Sequence, residues 1–264
     1  MNTVMTLPNM NNYSFDKKNH LHKLNGVALT GTSSVIDVLA KPLTWWASGL
    51  AVQQLGWLNP KKHTEEERAF ACEEALEKIK KMERDEYAKL LDKAYRAHKD
   101  SLTKSAQKGT DLHEELEKYV KAQMGLLDID IKTLDERIKP FVEWANENVD
   151  EFLFSEANTY SERLWVGGIV DAGAKLKDGS IAIIDFKSSK EAYINQFIQA
   201  GGYALQVEET GVFDEKGERN KKIDAITKLI IVPFGADPVL PVVMSDVQAY
   251  KDGFEAATRL YRLI

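Results

Sequence analysis

The chain reads as a mixed α/β (α+β) protein. Charged stretches with helical spacing come first, strand-like segments with two-residue alternation follow, and helical spacing then returns around further strand-like runs. Its 264 residues, 44% hydrophobic and 29% charged, are enough to bury a core of that kind. No Pro/Gly/Ser linker or internal repeat divides it. We therefore expect a single globular unit, with an N-terminal arm and helical portion over residues 1–108 packed on a core over residues 109–264.

Taken in order, the first ~25 residues, with Lys17, Lys18, His20, His22 and Lys23, read as an extended basic arm. Ser33 and Ser34 can cap a helix that starts at Val35 and stops near Lys41-Pro42. Trp45, Trp46, Leu50 and Leu55 give a second helix an apolar face. A long charged helix is expected from Thr64 to His98, and a new one after Gly109, capped by Thr110 or Asp111, with Leu112, Leu116 and Tyr119 on one stripe. Another covers Ile131 to Asn148. The period then changes: Leu164–Leu176 and Ser180–Lys187 alternate as two strands of an antiparallel hairpin. Helical spacing resumes over Glu191–Glu208. Strands over Ile223–Phe234 and Val239–Met244 precede a last helix, Asp246–Leu263, with Ser245 and Gln248 as a capping box.

Composition narrows the function classes. No apolar run approaches the ~20 residues of a membrane span. Met1 to Phe15 is polar and Asn-rich, without the basic-then-apolar order of a secretion signal. Cys72 is the single cysteine, so an intramolecular disulfide, a cysteine zinc site and a four-cysteine iron–sulfur cluster are excluded, and a reducing, cytoplasmic setting is expected. The net charge of −6 decides nothing about a polyanionic partner, because nucleic-acid binding depends on local basic surface, and acidic metal ligands would themselves lower the sum.

The chemistry concentrates around the hairpin. Alternation puts Asp185 and Lys187 on one face of their strand while Ile184 and Phe186 point into the core. A carboxylate there can hold a hard cation, and an ammonium can orient water or stabilise phosphate charge. Register decides whether Asp171 joins them. A two-residue turn at Asp178-Gly179 would set it opposite Phe186. A three-residue loop, Lys177-Asp178-Gly179, sets it opposite Asp185 and places Gly179 at the left-handed position this loop type favours. Two carboxylates would then lie ~5 Å apart and call for a divalent ion between them. His113 and Glu117, four apart on one helix, can contribute an imidazole and another carboxylate, or form only a surface pair. Gln196, Gln199 and Tyr203 share a helix face as donors suited to phosphate oxygens or base edges. Gly201-Gly202 within that helix implies a close backbone approach, to the sheet or to a ligand.

In chain order, Gly109-Thr110-Asp111-Leu112-His113 with Glu117, Gly168 to Asp171, Asp185-Phe186-Lys187 and Gln199-Ala200-Gly201-Gly202-Tyr203 resemble the motifs of the PD-(D/E)XK nuclease superfamily, in its RecB-like exonuclease branch. Thr32 to Val35, Lys41-Pro42 and Trp45-Trp46 also resemble the phage and mitochondrial single-strand exonucleases of that branch. The resemblance implies a restriction-endonuclease-like core, a central mixed sheet flanked by helices. It implies one or two Mg²⁺ or Mn²⁺ ions on His113, Asp171, Asp185 and the Phe186 backbone carbonyl. Lys187 would position the attacking water, and Glu156 would correspond to an additional acidic residue. The four cysteines of the branch's iron–sulfur members are absent, and so is any helicase motif.

The function expected is a metal-dependent DNA exonuclease acting on single-stranded DNA or on a free end, in phage or cellular replication, recombination or repair. A single-strand-annealing or replication protein is the kind of partner implied, and a phage-encoded chain would work in the host cytoplasm. Ser33 and Ser34 at a helix N-terminus, Lys41, Arg163 and a base-stacking Trp45 are the further candidate DNA contacts. An endonuclease of the same superfamily (restriction or junction-resolving) and a non-catalytic DNA-binding module are the competing readings.

Overall fold

Two apolar strand segments organise the fold. Strand β7 (Ile181–Lys187) and strand β10 (Lys228–Pro233) pair in parallel, Ile184 beside Ile230 and Asp185 beside Ile231. Both are covered on both faces, which is why they read as continuous apolar runs. Ile184, Phe186, Ile230 and Val232 belong to the core on one side, and Ile183, Leu229 and Ile231 to the core on the other. Burying each such side chain contributes about 1.5–3 kcal/mol.

The structure, a computed structural model, describes residues 12–40, 43–214, 216–223 and 225–264, and the side chains of all of these but 104–110 and 220. The chain divides into two units, one of residues 1–40 with 109–264 and one of residues 41–108. Residues 1–40 thus group with the C-terminal core, whereas the sequence reading sets them with the helices that follow.

In the larger unit, the expected basic arm is a small antiparallel sheet instead: β1 (Tyr13–Asp16), β2 (Leu21–Leu24) and β3 (Val27–Ala28). Lys17 to His20 form its first turn. Tyr13, Leu24 and Leu29 are buried with Tyr160 and Phe213, so an apolar residue hidden among the basic ones decides the structure. Strand β4 (Thr30–Gly31) and the short helix α1 (Thr32–Ile36) follow.

The unit's main sheet is mixed and flanked by helices, as expected. After helix α5 (Lys139–Asn148) come β5 (Val149–Ser161), β6 (Val166–Leu176) and β7, all antiparallel; helix α6 (Ile194–Thr210) then crosses to β10. With β8 (Val212–Phe213), β9 (Arg219–Lys221) and β11 (Val242–Met244), the order is β11-β10-β7-β6-β5-β8-β9, with β4 beside β6. Helix α7 (Val247–Tyr261) packs on α6, and its N-cap is Asp246 rather than Ser245. The thirteen-residue β5 escapes the alternation test because Asp150 and Glu151 interrupt it.

The hairpin has the expected register. Ala172 pairs with Ile184 and Lys175 with Ile181, and Gly179 closes the loop at φ +84°. One further step along that register sets Asp171 opposite Asp185.

Helix α4 (Arg84–Gln123) is continuous through Gly109, where a new helix is expected. A helix-interior Gly costs only about 1 kcal/mol, which a forty-residue ladder absorbs. Its last turns carry the buried stripe Leu112, Leu116 and Tyr119. The helix expected over Ile131–Asn148 is split into two 3-10 turns, capped by Asp130 and Asp135, and then α5 with Pro140 in its first turn.

The second unit holds helix α2 (Thr44–Gln53), helix α3 (Glu65–Lys80) and the first part of α4. Thr64 and Glu67 form a capping box on α3. No residue of α2 is fully buried; Trp45 is 90% exposed, so α2 lacks the expected one-sided apolar face.

Candidate active site

The site forms where β5, β6 and β7 run side by side under the last turns of α4. Interpolating the β5–β6 register sets Glu156 opposite Asp171. Glu156 is held at φ +48°, a left-handed conformation unusual for a side chain of its size. Regular alternation would put Val170 and Ala172 on one face of β6. Instead they lie in opposite cores, so the strand changes face at Asp171. This local twist, invisible to a period-two reading, brings two carboxylates from neighbouring strands onto one imidazole. His113 Nε2 lies 3.5 Å from Asp171 Oδ1 and 3.9 Å from Glu156 Oε1. Donor atoms of His113, Glu117 and Glu156 all lie within 4.8 Å of one another.

Asp171 links this group to β7, because its Oδ2 accepts the Phe186 N–H at 2.6 Å. Asp185 and Lys187, one pleat apart, meet at 2.7 Å from Oδ2 to Nζ. This ion pair engages the buried Asp185 oxygen with the Lys187 ammonium. Glu156 Oε1, by contrast, is a buried oxygen without a hydrogen-bond donor. The Phe186 ring stands edge-on to His113 at 5.6 Å, and that of Phe234, just past β10, at 6.3 Å.

The electrostatics follow from crowding acids in a poorly hydrated place. Burial, then the neighbouring Asp171 charge, pushes the Glu156 carboxyl up to about 8. Burial raises Asp185 to about 6, against the pull of Lys187. Burial would lower His113 and Lys187, but the carboxylates outweigh it: Asp171 first for His113, Asp185 first for Lys187, and both cations stay above their usual values. Glu117 is paired with Lys121. The Tyr203 hydroxyl, buried near Asp185 and Asp171, is raised well above the ordinary phenol value, chiefly by burial.

Asp171, Asp185, Lys187, His113, Glu117 and Glu156 therefore come together. Phe186 joins them through its N–H rather than through a described contact of its carbonyl. Within the larger unit, several of the expected nucleic-acid contacts are engaged inside the protein. Gln199 and Tyr203 are 9% and 6% exposed and bonded to each other at 3.0 Å, a core pair beneath the site. Gln196 is spent on Tyr193 N and Ser189 Oγ. Ser33 and Ser34 lie within the first turn of α1, whose N-cap is Gly31 with no side-chain cap, so they do not cap it. The buried polar residue there is Thr32, donating to the Gly167 carbonyl and accepting from Gln206. Arg163 pairs with Glu255 at 2.7 Å. Trp45 belongs to the second unit, and Lys41 lies outside the described residues. The close approach at Gly201-Gly202 is to α7, against the Tyr250 backbone and the Phe254 ring, rather than to the sheet or a ligand.

The donor set suits a hard divalent cation: carboxylate oxygens, one imidazole, and a buried Glu156 oxygen that lacks a hydrogen-bond donor. Compared with known proteins, the chain matches no family model and no curated sequence.

Proposed function

We propose that this chain is a divalent-metal-dependent deoxyribonuclease, an exonuclease hydrolysing phosphodiester bonds from DNA ends. What carries the reading is the convergence of His113, Glu156 and Asp171 beside the buried Asp185–Lys187 pair. A structural ion pair would need one acid and one base, whereas this partly buried cluster holds more carboxylates than cations. The PD-(D/E)XK-like motif order points the same way. Mg²⁺ or Mn²⁺ on His113, Glu117, Glu156, Asp171 and Asp185 would supply Lewis-acid stabilisation of the scissile phosphate and a more acidic water.

The chain's own groups do the rest. Asp185 holds the Lys187 ammonium in place, where it orients a water and offsets charge growing on the phosphate oxygens. Asp171, fixed by the Phe186 N–H, keeps His113 and β7 in register. The new bond joins water oxygen to phosphorus, the bond to the leaving nucleotide oxygen breaks, and that oxygen takes up a proton.

The test is cleavage of end-labelled linear and closed circular DNA with Mg²⁺, Mn²⁺ or EDTA, using wild type, Asp185→Ala and Lys187→Ala. The expected result is metal-dependent loss of end nucleotides that spares the circle and is lost in both variants. Cutting of the circle would assign an endonuclease. Binding without cleavage in Mn²⁺ would leave a non-catalytic DNA-binding module.

A further inference from the structure

The connection from β7 to α6 begins directly after Lys187 and is tied down along its length. The Lys187 carbonyl accepts Phe234 N–H at 2.8 Å, and the Ser189 carbonyl accepts Gly235 N–H at 3.0 Å. Ser189 Oγ donates to the Glu191 carbonyl at 2.7 Å and accepts from Gln196 Nε2 at 3.0 Å. Gln196 Oε1 then accepts Tyr193 N–H at 2.9 Å, while Gln196 N–H donates to the Tyr193 carbonyl at 3.0 Å. This backbone has little freedom left to lose. Yet it ends in two large side chains turned to solvent, Tyr193 at 45% and Ile194 at 62% exposure, with Lys190 exposed before them.

Scattered exposed apolar residues are ordinary. An aromatic ring on an immobilised loop, six residues past the site's lysine, is different. The same ties run through Phe234 to the edge of His113, so the platform is continuous with the cluster. A preorganised tyrosine offers a large flat contact at small entropic cost, and every nucleobase has a face to stack on it.

Resting on the nuclease reading, we propose that Tyr193 is the stacking surface for a base of the substrate strand. Ile194 broadens that surface and Lys190 draws in the strand's phosphates. The bound end is then set in place beside Lys187 without sequence preference. Gln196, one of the residues that sequence suggests as nucleic-acid contacts, is the strut that holds Tyr193 for this task.

The experiment measures binding of the full chain to a fluorescent, nuclease-resistant phosphorothioate single strand in Mn²⁺, by anisotropy, with an abasic residue moved along the strand. Tyr193→Ala should weaken binding about tenfold, and Tyr193→Phe should stay within about twofold of wild type. At one position the abasic residue should cost wild type about tenfold and cost Tyr193→Ala almost nothing more. Tyr193→Ala binding like wild type, or abasic losses equal in both proteins at every position, would overturn the assignment. Because the cycle reads binding alone, absence of hydrolysis with the cycle intact would overturn the nuclease reading and leave the Tyr193 contact standing. A wild type that binds no strand overturns both.

Discussion

His22 ties the N-terminal sheet to the core, and its burial makes that tie sensitive to acid. The Tyr13 hydroxyl and His22 Nδ1 are hydrogen-bonded at 2.6 Å, the Phe15 ring lies 4.6 Å away, and Tyr13 stacks on Tyr160 at 4.7 Å. Burial, with a smaller push from His20, lowers His22 from 6.5 to about 4. The unfolded chain therefore takes up this proton first, so the contribution to stability is complete above pH 6.5 and is lost as pH falls towards 4. A difference of about 2.5 pH units corresponds to roughly 3 kcal/mol in total, of which about 2 kcal/mol is lost by pH 5. His22→Asn keeps an acceptor near Nδ1 and does not titrate. Urea unfolding of wild type and His22→Asn at pH 7 and pH 5 isolates the effect, because the site carboxylates contribute equally to both proteins. The wild-type advantage should shrink by about 2 kcal/mol between the two pH values. An advantage that does not change would refute the buried, neutral histidine.

Mn²⁺ at about a hundred times its dissociation constant should stabilise the folded chain by ~2.7 kcal/mol, seen as a rise in melting temperature. Glu156→Gln should melt higher than wild type without metal, because it removes a donor-less buried carboxylate, and should respond less to Mn²⁺; an equal response would remove Glu156 from the ligand set. Gly201→Ala places a methyl 2.5 Å from the Tyr250 carbonyl carbon and should destabilise by about 1–3 kcal/mol in urea. If it instead stabilises, as helix propensity alone would have it, α6 and α7 are not in such close contact. Tyr203→Phe should cost about 1 kcal/mol of stability through the lost Gln199 bond, with oligonucleotide affinity within twofold. A large affinity loss without destabilisation would return Tyr203 to the nucleic-acid surface.

The sequence by itself determines what local periodicity and turn chemistry can carry. Ile183 to Lys187 alternates as a strand, Leu112, Leu116 and Tyr119 mark a buried helix stripe, and Gly179 selects the three-residue loop that sets Asp171 beside Asp185. It suggests His113 as a partner for these groups through motif order, though no local rule brings a helix residue to Asp171 and Asp185, 58 and 72 residues further along the chain. Misreadings arise where long-range contacts overrule local signals. The basic N-terminal segment is a sheet because Tyr13 and Leu24 reach Tyr160 and Phe213. Gly109 does not break α4, since a long hydrogen-bonded ladder tolerates one weak residue. Only the tertiary structure decides that β6 changes face at Asp171, that Glu156 sits at positive φ opposite it, and that Gln199 and Tyr203 lie buried as a pair. These features arise from strand register and from helices packing on both sheet faces, neither of which has a signature shorter than the whole domain.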